Sequence, residues 1–247
     1  SMHAATRTAT LLLLAVMATF FRASIGFLQA TASSQPLLRS LKQVFSDLPF
    51  RRLLLVFVAN GIAAALPATL FLFFVADVLQ MEKASGPLLA VYFVAGAASL
   101  PAWVRLSARL GRVMAWLLAM GLSIVAFGGA SVLGAGDVWP FAVICVASGL
   151  ALGADLALPA AIAADLGERQ GQAGACFGVW NFVAKLNLAL AAGVSLPLIG
   201  ALGYVAGGRD ESGLAALTFA YALLPLAFKA LAAVLLWRWR HSLEFES

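Results

Sequence analysis

Six runs of apolar residues decide what this chain can become. They lie at 53–76, 87–104, 113–135, 139–164, 175–203 and 214–237, each close to the roughly twenty residues a helix needs to cross a hydrocarbon core about 30 Å thick. Surface of that kind has no place in a water-soluble domain of this size, and the composition agrees. Hydrophobic residues make up 63% of the chain and charged ones 11%, with a mean hydropathy of +0.97. The expected fold is an all-α, polytopic membrane protein built as a six-helix bundle, its chief partner the lipid bilayer. Between the runs stand short breakers, among them Lys83-Ala84-Ser85-Gly86-Pro87, Gly134-Ala135-Gly136-Asp137 and the segment Gly207 to Gly213. They supply turns and solvated charge and leave no room for a separate soluble domain.

The net charge of +5 does not signal nucleic acid, because the charges fall between apolar runs, where they record orientation. Arg39, Lys42, Arg51, Arg52, Arg105, Arg109, Arg112, Arg169, Arg238 and Arg240 share one side of the arrangement, whereas Lys83 and Arg209 lie in loops on the other. By the positive-inside rule the basic side is cytoplasmic, so both ends of the block face the cytoplasm in a multi-pass protein of the cell membrane. The segment Thr10 to Phe21, interrupted by Arg22 and resumed from Ile25 to Ala30, reads as a weak extra membrane helix. A cleaved signal peptide there would leave Arg39 to Arg52 outside, against the charge distribution. Cys145 and Cys176 lie in apolar runs, match no metal-ligand spacing and read as packing residues.

Lys185 carries the sharpest functional signal. It lies about 13 Å along a helix from Cys176, near mid-membrane, where an ammonium is costly and needs a partner or a task. Gly178, Asn181, Lys185 and Ala192 share one face of that helix, while Trp180, Ala184, Asn187 and Ala191 share another. A polar stripe beside a small-residue stripe suits a helix that lines a cavity, with Lys185 either engaging a polar substrate or fixing helix packing through an ion pair. Asp155, inside the fourth run, is the candidate partner, and a local hydrogen bond is its alternative. Asn60, one helical stretch before Pro67, marks either a cavity-lining kink or plain packing. Lys229 is expected to snorkel toward the basic interface. Asp165, Glu168 and Arg169 are expected in a short cytoplasmic loop. The pairs Gly149-x-x-x-Gly153 and Gly174-x-x-x-Gly178 are expected to pack helices closely, and the terminal Trp237-Arg238-Trp239-Arg240 to anchor the interface. Trp180 is the one tryptophan deep enough to stack on a sugar. No zinc-protease, nucleophile-elbow or phosphate-loop motif is present, and His3 and His241 lie near the ends, so the chain does not read as an enzyme.

Three stretches together resemble a known family. They are Asp-Leu-Pro-Phe-Arg-Arg-Leu-Leu-Leu (47–55) leading to Asn60-Gly61 and Leu66-Pro67, the basic segment Arg105 to Arg112, and the run from Gly153-Ala-Asp-Leu-Ala-Leu-Pro through Gly178-Val-Trp-Asn-Phe-Val-Ala-Lys185 to Gly200-Ala-Leu-Gly-Tyr204. Over residues 40 to 240 the chain resembles the C-terminal half of the glycoside-pentoside-hexuronide:cation symporters, the melibiose-carrier branch of the major facilitator superfamily. The resemblance implies two six-helix bundles in such transporters, with the helices here matching the seventh to twelfth. Residues 1–30 would then hold a degraded sixth-type helix, 31–52 the cytoplasmic central-loop-like segment, 53–241 the bundle and 242–247 a tail. It also implies secondary transport of a small polar solute, most plausibly a sugar, in symport with Na+ or H+. The family's cation ligands are carboxylates of the N-terminal bundle, which this chain does not contain. A partner N-terminal half or a homodimer would complete the transporter; a non-transporting fragment or accessory protein is the alternative. Lys185 matches the functionally important lysine of the eleventh helix, and Trp180, Asn181 and Asn187 are its neighbours. Substrate-binding candidates are thus Lys185, Trp180, Asn181, Asn187, Asp155 and Asn60.

Overall fold

A computed structural model of the protein describes residues 37–244. The segment read as a weak N-terminal membrane helix lies outside the described residues. The chain divides into two compact units, Ser1–Ser40 and Leu41–Ser247. Of the first, only the start of a helix is described, and the membrane-length helices among the described residues belong to the second.

A short helix, α1 (Leu37–Ser46), leads into α2 (Leu48–Phe73), which continues through a π-helical turn, Phe74–Val78. Then come α3 (Ser85–Leu110), α4 (Arg112–Ala130), α5 (Val138–Arg169), α6 (Ala173–Ala201), α7 (Glu211–Thr218) and α8 (Leu224–Leu243), the last two joined by a second π-helical turn, Phe219–Leu223. No strand occurs among the described residues. Among the described residues six stretches are long and apolar enough to cross a membrane: Leu48–Val78, Glu82–Leu110, Arg112–Ala130, Val138–Arg169, Ala173–Ala201 and Glu211–Leu243. These are the six expected spans, but their ends differ from the edges of the apolar runs. Helix continues through Arg105 and Arg109 and through Asp165, Glu168 and Arg169, because charged residues with long stems are good helix formers once solvated. The expected cytoplasmic loop at Asp165–Arg169 is therefore helical, and the turn is confined to Gln170–Gln172. Gly86 and Pro87 likewise stand in the first turn of α3, where a proline's missing N–H costs nothing. The third span stops at Ala130, short of 135.

Asp47 caps α2 by accepting the Phe50 N–H at 2.9 Å, and Asp210 caps α7 by accepting the Gly213 N–H at 3.2 Å; each satisfies an orphan donor of the first turn. The described part of the expected central-loop segment is thus helix, α1 and the start of α2. Val44 of α1 is buried against the bundle, and Gln43 accepts a bond from Gln172 Nε2 at 3.0 Å.

The bundle is packed in layers. At the end carrying Arg51, Arg52, Arg112 and Arg240, a core forms around Phe50, Leu53, Trp116, Ile162 and Leu236. At the other end a second core gathers Leu70, Phe74, Phe141, Leu217 and Tyr221, with Phe74 stacked on Tyr221 at 4.1 Å. Between the two lies a waist in which Asn60, Ser99, Ser123, Ser148, Asn187, Ser195 and Lys229 are buried. Polar groups at this depth need partners or water, since lipid offers neither.

Small residues set the helix crossings. A Cβ on Gly149 would approach Ala95 Cβ at 3.0 Å, and one on Gly153 would meet Ser99 Oγ and lie 2.7 Å from the Gly96 carbonyl oxygen. The expected packing role of that pair is seen between α3 and α5. There the Leu150 carbonyl also accepts bonds from Ser99 Oγ at 3.0 Å and Trp103 Nε1 at 2.7 Å. Gly178, by contrast, has open space around it, so it draws no described helix close. The helices α3 and α6 are the least covered of the six.

Candidate functional site

The two stripes read on α6 point in different directions. Gly178, Asn181, Lys185 and Ala192 are exposed on the outer side of the bundle, whereas Trp180, Asn187 and Ala191 are buried. The inward stripe packs on α2. Trp180 stacks on Phe57 with ring centroids 3.7 Å apart, so one face of its indole is occupied. Asn187 Nδ2 donates to the Phe57 carbonyl at 3.4 Å and lies directly over Gly61, where a Cβ would stand 2.9 Å from Asn187 Cγ. A β-carbon at position 61 would push α6 off α2, which explains glycine there without appeal to its backbone freedom.

The outward stripe has no such partners. Asn181 Nδ2 folds back onto the Phe177 carbonyl at 2.9 Å, and among the described residues Lys185 forms no ion pair. Lys185 lies twelve residues from the start of α6, about 18 Å along a helix about 43 Å long. It therefore presents its ammonium near mid-membrane and away from the six-helix core.

The carboxylate offered as its partner is taken elsewhere. Asp155 Oδ2 accepts from Lys229 Nζ at 2.5 Å, and Asp155 Oδ1 accepts from the Trp116 indole N–H at 2.8 Å. The side chains of Lys229 and Asp155 are 5% and 11% exposed. The expected snorkelling of Lys229 is overturned by this geometry. It lies fourteen residues before the end of α8 at Leu243, about 21 Å along the axis, farther than a lysine stem reaches. Facing inward, its charge finds the nearest buried carboxylate. Asp155 itself sits seventeen residues into α5, about 26 Å from the Val138 end. Four residues on, Pro159 supplies no N–H to the Asp155 main-chain carbonyl, so the helix has a relaxed acceptor at the same level.

A cavity of about 110 Å³ borders this pair, lined by Ala63, Pro67, Tyr92, Ser123, Ser148 and Tyr221 among others. Phe93, an exposed residue, stands at its edge. Asn60 is one turn away on the same α2 face as Ala63, Ala64 and Pro67. It is buried, and its Oδ1 has no hydrogen-bond partner among the described residues. The structure thus separates the six sequence candidates. Asp155 and Asn60 lie at or beside the cavity in the waist, Asn187 of the waist joins Trp180 in the α2–α6 seam, and Lys185 with Asn181 belongs to the outer face.

The sequence reading did not bring Lys229, Trp116 and Tyr92 to Asp155, which the first two hold by hydrogen bonds and whose cavity the third lines. The signal for Lys229 was available in its distance from the helix end; Trp116 and Tyr92 carry no sequence signal that sets them apart from packing aromatics.

Each end of the bundle has its own polar closure. At the basic end Arg112 and Asp165 form a close ion pair on the wall of an open cavity of about 820 Å³ that also holds Arg109, Glu168, Arg169 and Glu244. Arg52 lies over Trp239 at 5.7 Å and Arg240 over Trp237 at 4.2 Å, as an aromatic and basic anchor requires. At the opposite end Asp77 accepts the Tyr204 hydroxyl and, at 3.0 Å, the Gly207 N–H. Burial and then the Asp77 hydrogen bond push the Tyr204 phenol above its ordinary range.

Compared with known protein families, residues 2–242 match the one described as MFS/sugar transport protein. The match extends over nearly the whole chain, so the chain belongs to that family of multi-pass membrane transporters. No curated protein matches the chain.

Proposed function

We propose that this family member transports a sugar or glycoside in symport with a cation, and that its six-helix bundle works against a second bundle. The melibiose-carrier branch is the one its motifs resemble. A single observation carries the reading: Lys185 stands near mid-membrane on the outer face of α6, one of the two least covered helices, with no ion pair among the described residues. An ammonium facing hydrocarbon at that depth costs several kcal/mol. A second bundle turns that face into the wall of a polar path. Lys185 and Asn181 then meet the solute, while Trp180 and Asn187 hold α6 on α2 and so set the angle of the stripe. Asn60 and Asp155 lie behind it in the waist. Alternating access comes from rocking one bundle against the other. The basic ends face the cytoplasm, in keeping with the positive-inside bias of Arg51, Arg52, Arg105, Arg109, Arg112, Arg238 and Arg240.

Uptake of labelled glycosides into proteoliposomes tests this. With a second bundle present, uptake is expected, with at least about a tenfold loss on Lys185→Ala, while thermal stability changes by no more than about 0.5 kcal/mol, the usual range for an exposed position. Full uptake by the Lys185→Ala variant would sink the proposed path. Absence of uptake under every pairing would favour an accessory protein that packs on another bundle.

A further inference from the structure

We infer that Asp155 is a proton-binding site, with Lys229 as its displaceable counter-ion and Trp116 as the fixed donor that keeps the carboxyl in place. Its use as the coupling site rests on the symport reading above; its existence does not. Three observations converge. The Asp155–Lys229 pair is almost wholly withdrawn from solvent at mid-bundle. It borders a cavity of about 110 Å³ with Tyr92, Ser123, Ser148 and Tyr221 in its walls, polar enough and, at roughly 10–15 Å³ of such volume per water, roomy enough for several waters. That cavity is too small for a sugar, so the ligand it suits is a proton arriving along water. The exposed Phe93 in its lining places the cavity just beneath the outer surface of the bundle.

An alkali cation fits less well, because the ammonium of Lys229 already occupies the carboxylate it would need. For a proton the exchange balances simply. Hydronium in the cavity gives a proton to Asp155 Oδ2, an O–H bond forms, and the Nζ–H···Oδ2 bond breaks. Lys229 keeps its three protons, and the site passes from neutral to a single positive charge. The freed ammonium then needs an acceptor. Asn60 Oδ1, buried and without a partner among the described residues, lies on the α2 face that walls the cavity, and the Asp155 carbonyl lacks the helical donor that Pro159 cannot provide. The indole N–H of Trp116 still holds Asp155 Oδ1 after the proton has bound.

Other titratable groups facing the cavity among the described residues are Tyr92 from α3, Cys145 from α5 and Tyr221 from the turn before α8. None carries charge near neutral pH. Neither α2 nor α4 adds a titratable group to the lining; α4 contributes Ser123, and Asn60 and Trp116 lie outside it. Cys176 of α6 belongs to the basic-end core, and Lys185 faces outward. Asp155 and Lys229 are therefore the charges that decide the site's protonation.

Trp116 provides the readout. Purified full-length chain in detergent is titrated from about pH 3 to about pH 11, bracketing ordinary carboxyl and lysine values. Its tryptophan fluorescence is corrected by subtracting that of Trp116→Phe, and the carboxyl stretch is followed by infrared difference spectroscopy. A single protonation step in both signals is expected, absent in Asp155→Asn. In Lys229→Met the step is expected to be displaced, because the charge facing the carboxyl is gone, and an undisplaced step would overturn Lys229 as its counter-ion. The double variant Asp155→Asn, Lys229→Met is the folded control, neutral throughout. A step that survives Asp155→Asn, or no step in protein that circular dichroism shows to be folded, overturns the site. A step in this titration alongside uptake indifferent to a proton gradient supports the site and overturns proton coupling in the transport reading.

Discussion

Removing one member of the Asp155–Lys229 pair should cost far more than removing both. At 2.5 Å and an effective dielectric of about 20, the two charges attract by about 7 kcal/mol, but taking each from water costs several kcal/mol. The pair as a whole is therefore close to break-even. Lys229→Met leaves a carboxylate buried with only the Trp116 bond, and Asp155→Asn leaves an ammonium buried without its counter-charge; each is expected to destabilise by about 3–5 kcal/mol near neutral pH. The double variant keeps the shape of both side chains and the Trp116 bond, now to the Asn amide oxygen, and should be close to neutral, as exchanging a buried pair for uncharged residues often is. The assay is reversible unfolding in mixed micelles with denaturing detergent, followed by helical circular dichroism and read as a double-mutant cycle. Were the double variant to lose the sum of the two single losses to within about 0.5 kcal/mol, the residues would be independent and the reasoning refuted.

Gly61→Ala should destabilise by about 1–3 kcal/mol, because the whole Asn187 side chain, from Nδ2 to Cβ, stands in the way. Adding Asn187→Ala should recover most of that loss in the same unfolding assay. Gly153→Ala meets the Gly96 backbone oxygen at 2.7 Å, which cannot swing aside, so α3 and α5 must part; a loss of about 1–3 kcal/mol and easier proteolysis between them are expected. Stability should also fall at alkaline pH through Tyr204. Its folded-state phenol is raised above the unfolded value of about 10, so its contribution is fully present below that pH and disappears as pH climbs through the folded value. Tyr204→Phe should flatten the alkaline limb of a stability profile, and an unchanged limb would rule out the Asp77–Tyr204 clasp as its source.

Much of the architecture was legible because each span hides its backbone hydrogen bonds within itself, so length and hydropathy suffice to find it. The runs at 53–76 and 139–164 became Leu48–Val78 and Val138–Arg169, longer at both ends because arginines and acids at the interface remain helical. Helical periodicity also divided α6 correctly into two faces. It could not tell which face looks inward, since glycine, alanine and asparagine occur in both stripes and nothing in a single helix records its rotation about its own axis. Packing settled that: the fit of Asn187 over Gly61 and of Trp180 on Phe57 turned Lys185 outward. The pairing of charges was likewise beyond the sequence. Asp155 and Lys229 are separated by 74 positions and lie in spans that nothing local brings together. What the sequence alone determined was the six strong spans and the presence of Asp155, Lys185 and Lys229 within them, with Lys229 read as reaching the interface. Which two neutralise each other was decided by tertiary structure, because burial makes an unpaired charge expensive only after the helices have chosen their neighbours.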